Sequence, residues 1–124
     1  KNNNLIKGGG AAHTKEKIVA SAARDFICIV DKSKIVNQLG DFPLPVEVIP
    51  ESRSLVARRI LALGGIPELR VGITTDQGNE ILDVKGLDLS NPKDIELKLN
   101  SFAGVVDNGI FSFQKPSLVL ISEV

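Results

Sequence analysis

The chain reads as an α/β protein in two parts, a partial Rossmann-like α/β domain followed by a ferredoxin-like α+β domain. Three observations predict this: a glycine run between an apolar dipeptide and a helical stretch, prolines at 43, 45 and 50, and the β-α-β-β-α-β order that follows them. In the first part, Leu5-Ile6 end a strand and Gly8-Gly9-Gly10 turn the chain. Thr14 is the expected N-cap of a helix reaching about residue 24, with Ile18, Val19 and Ala22 as its buried stripe. The continuous apolar run Phe26-Ile27-Cys28-Ile29-Val30 reads as a strand covered on both faces. It ends in the polar turn Asp31-Lys32-Ser33-Lys34, in which Asp31 and Ser33 are turn formers, and a short helical piece over 33–39 closes the unit at Gly40.

The prolines then mark a crossing into a second module. A strand is expected over 46–49 and a helix over 52–63, with Leu55, Val56, Ile60 and Leu63 inward and Gly64-Gly65 as its stop. Residues 69–74 and 80–84 form a hairpin around Asp76-Gln77-Gly78-Asn79, a helix over 92–102 opens at Ser90-Asn91-Pro92, and 105–111 is a strand. Residues 118–121 make one more buried strand, returning to the first sheet. The expected division is therefore 1–40 for the partial α/β domain, 41–113 for the ferredoxin-like domain, and 114–124 for the returning strand.

Composition narrows the function classes. Fifteen basic and fifteen acidic residues cancel, so no global field attracts nucleic acid or a membrane surface, and anion binding must be local. The apolar runs fall far short of the ~20 residues a membrane-spanning helix needs. Cys28 reads as a small buried hydrophobe, and a single cysteine provides no disulfide framework, which fits a reducing cytoplasm. With one cysteine and one histidine, His13, there is no cluster at metal-ligand spacing, so a zinc site is not expected.

The stretch from Lys7 to Glu16 carries the chemistry. It places a lysine, three bare glycines and a glutamate where a strand hands over to a helix, the place where α/β folds bind anionic ligands. Gly8, Gly9 and Gly10 permit close backbone approach, so their N–H groups can meet sugar hydroxyls or a developing oxyanion, and Lys7 adds a point charge. On position alone the same residues also describe a tight turn, a solvated lysine and a first-turn acid complementing the helix dipole.

Four ordered blocks decide between these readings. They are Lys7-Gly8-Gly9-Gly10-Ala11-Ala12-His13-Thr14-Lys15-Glu16-Lys17-Ile18, then 26–34 with 39–50, Gly78-Asn79-Glu80-Ile81-Leu82-Asp83-Val84, and Gly104-Val105-Val106-Asp107-Asn108-Gly109-Ile110-Phe111. Together they closely resemble the ribose-5-phosphate isomerase A family across essentially the whole chain. The resemblance implies an aldose–ketose isomerase interconverting D-ribose 5-phosphate and D-ribulose 5-phosphate through an enediol, without a metal or other cofactor, in the non-oxidative pentose phosphate pathway. It gives the catalytic base to Glu16 and substrate contacts to Lys7, Gly8, Gly9, Gly10 and Lys34, the last at the phosphate. It also implies a homo-oligomer, dimer or tetramer, and gives His13 no catalytic role.

The family's glycine- and Ser/Thr-rich phosphate loop and its two-aspartate acidic motif do not occur in these 124 residues. The chain is accordingly expected to be the C-terminal part of such an enzyme, poorly active alone and short of sheet partners for its first two strands. Two other classes stay open at this point: a noncatalytic sugar-phosphate sensor, and a ferredoxin-like module serving assembly alone.

Overall fold

The structure, a computed structural model, describes residues 3–36, 39–40 and 42–122. Its centre is the second module. Strand β3 (Leu44–Val48), helix α2 (Arg53–Ala62), strands β4 (Ile66–Leu69) and β5 (Glu80–Lys85), helix α3 (Pro92–Asn100) and strand β6 (Val105–Asn108) follow one another. The four strands form one sheet in the order β4-β5-β3-β6, with every adjacent pair antiparallel. This is the split β-α-β arrangement expected from the order of elements.

Alternation along β3 explains its place at the centre of that sheet. Leu44, Val46 and Val48 share one face and join Val56 and Ile60 of α2, Leu82 and Val84 of β5, and Ile95 and Leu99 of α3 in a single apolar core. Pro45 and Glu47 take the other face, and Glu47 is nonetheless fully buried. Gly64, at φ +95°, ends α2 as expected, although Leu55 lies at the exposed edge of the helix rather than inside.

The hairpin register differs from expectation. β4 spans Ile66–Leu69 and pairs Leu69 with Leu82, so residues 70–79 are the connection and the turn residues sit at its far end. Pro67 is tolerated because β4 is an edge strand. The expected single strand over 105–111 is two strands, β6 and β7 (Ile110–Phe111), broken at Gly109.

Outside that sheet, β1 (Leu5–Ile6) pairs antiparallel with β7, and β2 (Ile27–Asp31) pairs in parallel with β8 (Leu118–Ser122). The first two strands therefore have partners within the chain, contrary to expectation, and residues 118–122 do return to β2. A 3-10 turn, Lys32–Lys34, replaces the start of the expected helical piece over 33–39; residues 37 and 38, and the boundary residue 41, lie outside the described residues. Strand β2 is not covered on both faces: Cys28 is buried while Ile29 is 72% exposed.

Helix α1 (His13–Ala22) departs furthest from expectation. Ile18 and Val19, expected to be buried, are 62% and 63% exposed, whereas His13, Thr14, Lys17 and Ala20 face inward. Ala12 is the N-cap, without a side-chain capping bond, and Thr14 instead donates from Oγ1 to Glu47 Oε1 at 2.6 Å. Lys17 Nζ donates to Glu96 Oε2 at 3.0 Å, Asp107 Oδ1 at 2.9 Å and the Asn108 carbonyl at 2.8 Å. The physical reason for the inversion is electrostatic: the surface that α1 meets carries buried carboxylates, so the helix presents its hydroxyl and ammonium groups to them.

Candidate active site

The glycine loop is braced from two sides before any ligand is considered. The backbone N–H of Lys7 donates to the Gly109 carbonyl at 2.8 Å, and the Gly109 N–H donates to the Pro45 carbonyl at 2.9 Å. A Cβ on Gly109 would lie 2.2 Å from the Lys7 carbonyl oxygen, so glycine is what permits this crossing of loop and sheet.

Within the loop the three glycines are not equivalent. Gly8 is buried at φ +105°, and a Cβ there would fall 2.7 Å from both His13 Nδ1 and Pro45 Cγ. Gly9 and Gly10 have open space where a Cβ would sit and lie exposed. The fold thus demands glycine at position 8, whereas at 9 and 10 the bare backbone is left accessible. Ala11, at φ +64°, closes the turn with its N–H on the Gly8 carbonyl at 2.9 Å.

All six residues singled out from the sequence line one cleft of about 1200 Å³: Lys7, Gly8, Gly9, Gly10, Glu16 and Lys34. Lys7 Nζ and Glu16 Oε2 are 2.8 Å apart, with the two side chains 28% and 39% exposed, so both remain within reach of a ligand. Glu16 lies in the first turn of α1, and the inward anchors Thr14 and Lys17 on either side fix the face from which its carboxylate projects. Lys34 reaches the cleft from the turn after β2, with its ammonium 5.6 Å from the centroid of the Phe42 ring. The loop, two lysines and a carboxylate can together hold an anionic polyol and exchange a proton with it.

Arg70 and Asp83 of the four-stranded module also line this cleft and were not singled out from the sequence. Arg70 donates from Nε to Asp83 Oδ2 at 2.9 Å and from Nη2 to Asp83 Oδ1 at 2.6 Å, and this two-pronged pairing raises the guanidinium pKa above its ordinary value. The detectable signal would have been an arginine and an aspartate placed across a hairpin from one another, but the displaced register hid it.

His13 lies fully buried under the loop, with Nε2 3.3 Å from the Asp107 carbonyl oxygen. Its Nδ1 has no hydrogen-bond partner among the described residues. Burial lowers its pKa, against the raising influence of the Asp107 carbonyl and of the Glu47 and Asp107 charges. Among the described residues no group of three or more His, Cys, Asp or Glu is placed to hold a metal ion, and no helix is long and apolar enough to cross a membrane.

Comparison with known proteins places this cleft in context. The chain is 60% identical over 116 residues to ribose-5-phosphate isomerase A of Acidithiobacillus ferrooxidans, which covers 94% of this chain and 53% of that relative. It is 54% identical over 117 residues to the Neisseria meningitidis serogroup B protein of the same name, covering 94% and 52%. The chain thus spans about half the length of the curated relatives it matches. Among solved structures, ribose 5-phosphate isomerase A from Neisseria gonorrhoeae superposes with a TM-score of 0.95 at 51% identity, over 97% of this chain and 54% of that one. A D-ribose-5-phosphate isomerase described in complex with phospho-erythronic acid superposes with a TM-score of 0.91 at 39% identity, over 97% and 56%. The family model for ribose 5-phosphate isomerase A (phosphoriboisomerase A) matches residues 1–123, and with the fold and these relatives in agreement, the chain belongs to that family.

Proposed function

We propose that this chain carries the base and part of the substrate cradle of an aldose–ketose isomerase that interconverts D-ribose 5-phosphate and D-ribulose 5-phosphate through an enediol. The observation that carries the reading is the 2.8 Å pair of Lys7 and Glu16 beside the exposed backbone of Gly9 and Gly10 in one cleft. Moving a proton between adjacent carbons needs a single base able to reach both from one side, and donors for the charge that grows on oxygen. In this reading Glu16 takes the proton from C2 and returns it to C1, while the O2 hydroxyl gives up its proton and O1 gains one through the enediol. Lys7 and the loop N–H groups donate to the sugar oxygens, and Lys34 holds the phosphate. The reaction balances without a metal or an organic cofactor.

The exposed Ile18, Val19, Ile27, Ile29, Leu118 and Leu120 around α1, β2 and β8 support the further reading that the remaining half of a family-length protein covers this surface and completes the cleft. The division at 1–40, 41–113 and 114–124 belongs to the same proposal, supported by the pairing of β8 with β2. So do a cytoplasmic location and assembly as a homo-oligomer, dimer or tetramer.

The test is Glu16→Gln in the full-length protein, assayed for ribulose 5-phosphate formation from ribose 5-phosphate. Turnover is expected to fall by about 10²–10⁴-fold, the usual contribution of a general base, with substrate affinity largely kept. Unchanged turnover removes Glu16 from the base role. The 124-residue chain alone is expected to be far less active than the full-length protein, because positioning of the substrate supplies several kcal/mol, out of about 7–11 available from this source.

A further inference from the structure

Arg70 does more in the cleft than pair with Asp83. Its Nη1 donates to the carbonyl oxygens of both Gly8 and Gly9, each at 3.2 Å. One guanidinium therefore ties β5, through Asp83, to two successive peptide groups of the glycine loop. In a trans peptide the C=O of one residue and the N–H of the next point in opposite directions. Holding the Gly8 and Gly9 carbonyls toward Arg70 therefore turns the N–H groups of Gly9 and Gly10 away from it. These are the two glycines whose backbone lies open.

We infer that Arg70, held by Asp83, is the positioning residue that orients the Gly9 and Gly10 N–H groups as a donor pair for the oxygen on which negative charge develops during isomerisation. The inference rests on the isomerase reading of the cleft. Arg70 does not itself touch the reacting carbons; it acts through the loop. The Ala11 N–H on the Gly8 carbonyl at 2.9 Å already helps to set the Gly8–Gly9 peptide, so the contribution of Arg70 falls mainly on the Gly9–Gly10 peptide, between the two exposed glycines. Lysine does not replace arginine here, because one ammonium cannot hold both Asp83 oxygens in the planar fork while spanning two carbonyls.

The experiment compares Arg70→Ala, Arg70→Lys and Asp83→Asn with the parent in the full-length protein. Misdirected donors are expected to lower kcat by about 10- to 100-fold in Arg70→Ala with KM little changed, short of the ~10²–10³-fold lost when such a donor is removed outright. Arg70→Lys should stay nearer to Arg70→Ala than to the parent, and Asp83→Asn should fall between. Two phosphorylated ligands separate orientation from general loosening. Affinity for phospho-erythronic acid, whose carboxylate mimics the charged intermediate, should drop in step with kcat, while affinity for ribitol 5-phosphate, which carries no such charge, should hold. Equal losses for both ligands, or unchanged kcat in a folded Arg70→Ala protein, overturn the inference. A crystal structure of Arg70→Ala provides a readout independent of turnover: a reoriented Gly9–Gly10 peptide plane supports the clamp, and an unmoved one overturns it. If the parent protein does not isomerise ribose 5-phosphate, the functional reading falls, and that crystal structure still decides the clamp.

Discussion

Helices α1 and α3 are similar in length, and both pack beside β6, yet the balance of apolar and polar side chains they bury differs. In α3, Ile95 and Leu99 enter the apolar core under the four-stranded sheet, and Glu96 is buried beside them with Lys17 and Ser112 as partners. In α1, the inward residues are His13, Thr14 and Lys17, and the apolar Ile18 and Val19 face out. The difference teaches that the face a helix buries is set by what it meets as well as by its own apolar residues. α3 combines nondirectional burial of Ile95 and Leu99 with the hydrogen bonds of Glu96, whereas α1 relies chiefly on the hydrogen bonds of Thr14 and Lys17. The helix that presents Glu16 is thereby held in register by its buried polar bonds.

The comparison breaks most sharply at Lys17. Lys17→Met leaves Glu96 and Asp107 without their cation, and a loss of about 3–5 kcal/mol in urea unfolding is expected, as for other buried pairs stripped of one partner. Ile60→Val in the apolar core should cost only about 0.5–1.5 kcal/mol. A Lys17→Met loss as small as that of Ile60→Val would show that the polar anchor adds nothing particular.

A second contrast lies inside the loop. Gly8→Ala forces a side chain into positive φ against His13 and Pro45 and is expected to lower stability by about 1–3 kcal/mol, whereas Gly9→Ala should stay within about 0.5 kcal/mol. If the structural and accessible glycines are correctly distinguished, Gly9→Ala instead raises the KM for the sugar phosphate. Thermal unfolding and steady-state kinetics on both variants decide this.

His13 gives the polar anchor a pH dependence that the apolar core lacks. Its pKa is lowered in the fold from 6.5, mainly by burial, so between these two values the unfolded chain binds the extra proton. Its stabilising contribution is present above pH 6.5 and is lost as pH falls through the lowered folded value. Stability measured from pH 7.5 down to 5 should decline, and His13→Gln should flatten that part of the profile. An identical slope in the variant would assign the decline to other groups.

The smallest effect concerns the outward face of α1. Ile18→Ser in the 124-residue chain should change stability by no more than about 0.5 kcal/mol, as for other exposed positions. The same substitution in the full-length protein should cost more, because that is where this face is proposed to be covered. Equal small effects in both would show that it stays exposed.

These contrasts also mark what the sequence made legible. The βαββαβ order, the stop of α2 at Gly64 and the opening of α3 at Pro92 rest on local signals, turn residues and helix termini, and the structure shows them. The six residues singled out from the sequence share one cleft because all but Lys34 fall within the short stretch from Lys7 to Glu16. The inverted face of α1 was not legible, because Ile18 and Val19 look like a core stripe unless Glu47, Glu96 and Asp107 are known to lie opposite. Thr14 was misread as a cap for the same reason: its partner is 33 positions away. Arg70 escaped notice because its role depends on a register that only the paired strands define.

The parallel pairing of β2 with β8 fixes an order of events during synthesis. Phe26, just before β2, accepts its bond from Ser117, 91 positions later, while every strand of the four-stranded sheet is complete by residue 108. On a growing chain that sheet can form first, and the pairing of β2 with β8 must wait until residues 118–122 have emerged. The strand that carries the chain toward Lys34 is therefore the last to find its neighbour. Until then the edge of β2 that β8 will cover has its backbone groups open to other partners.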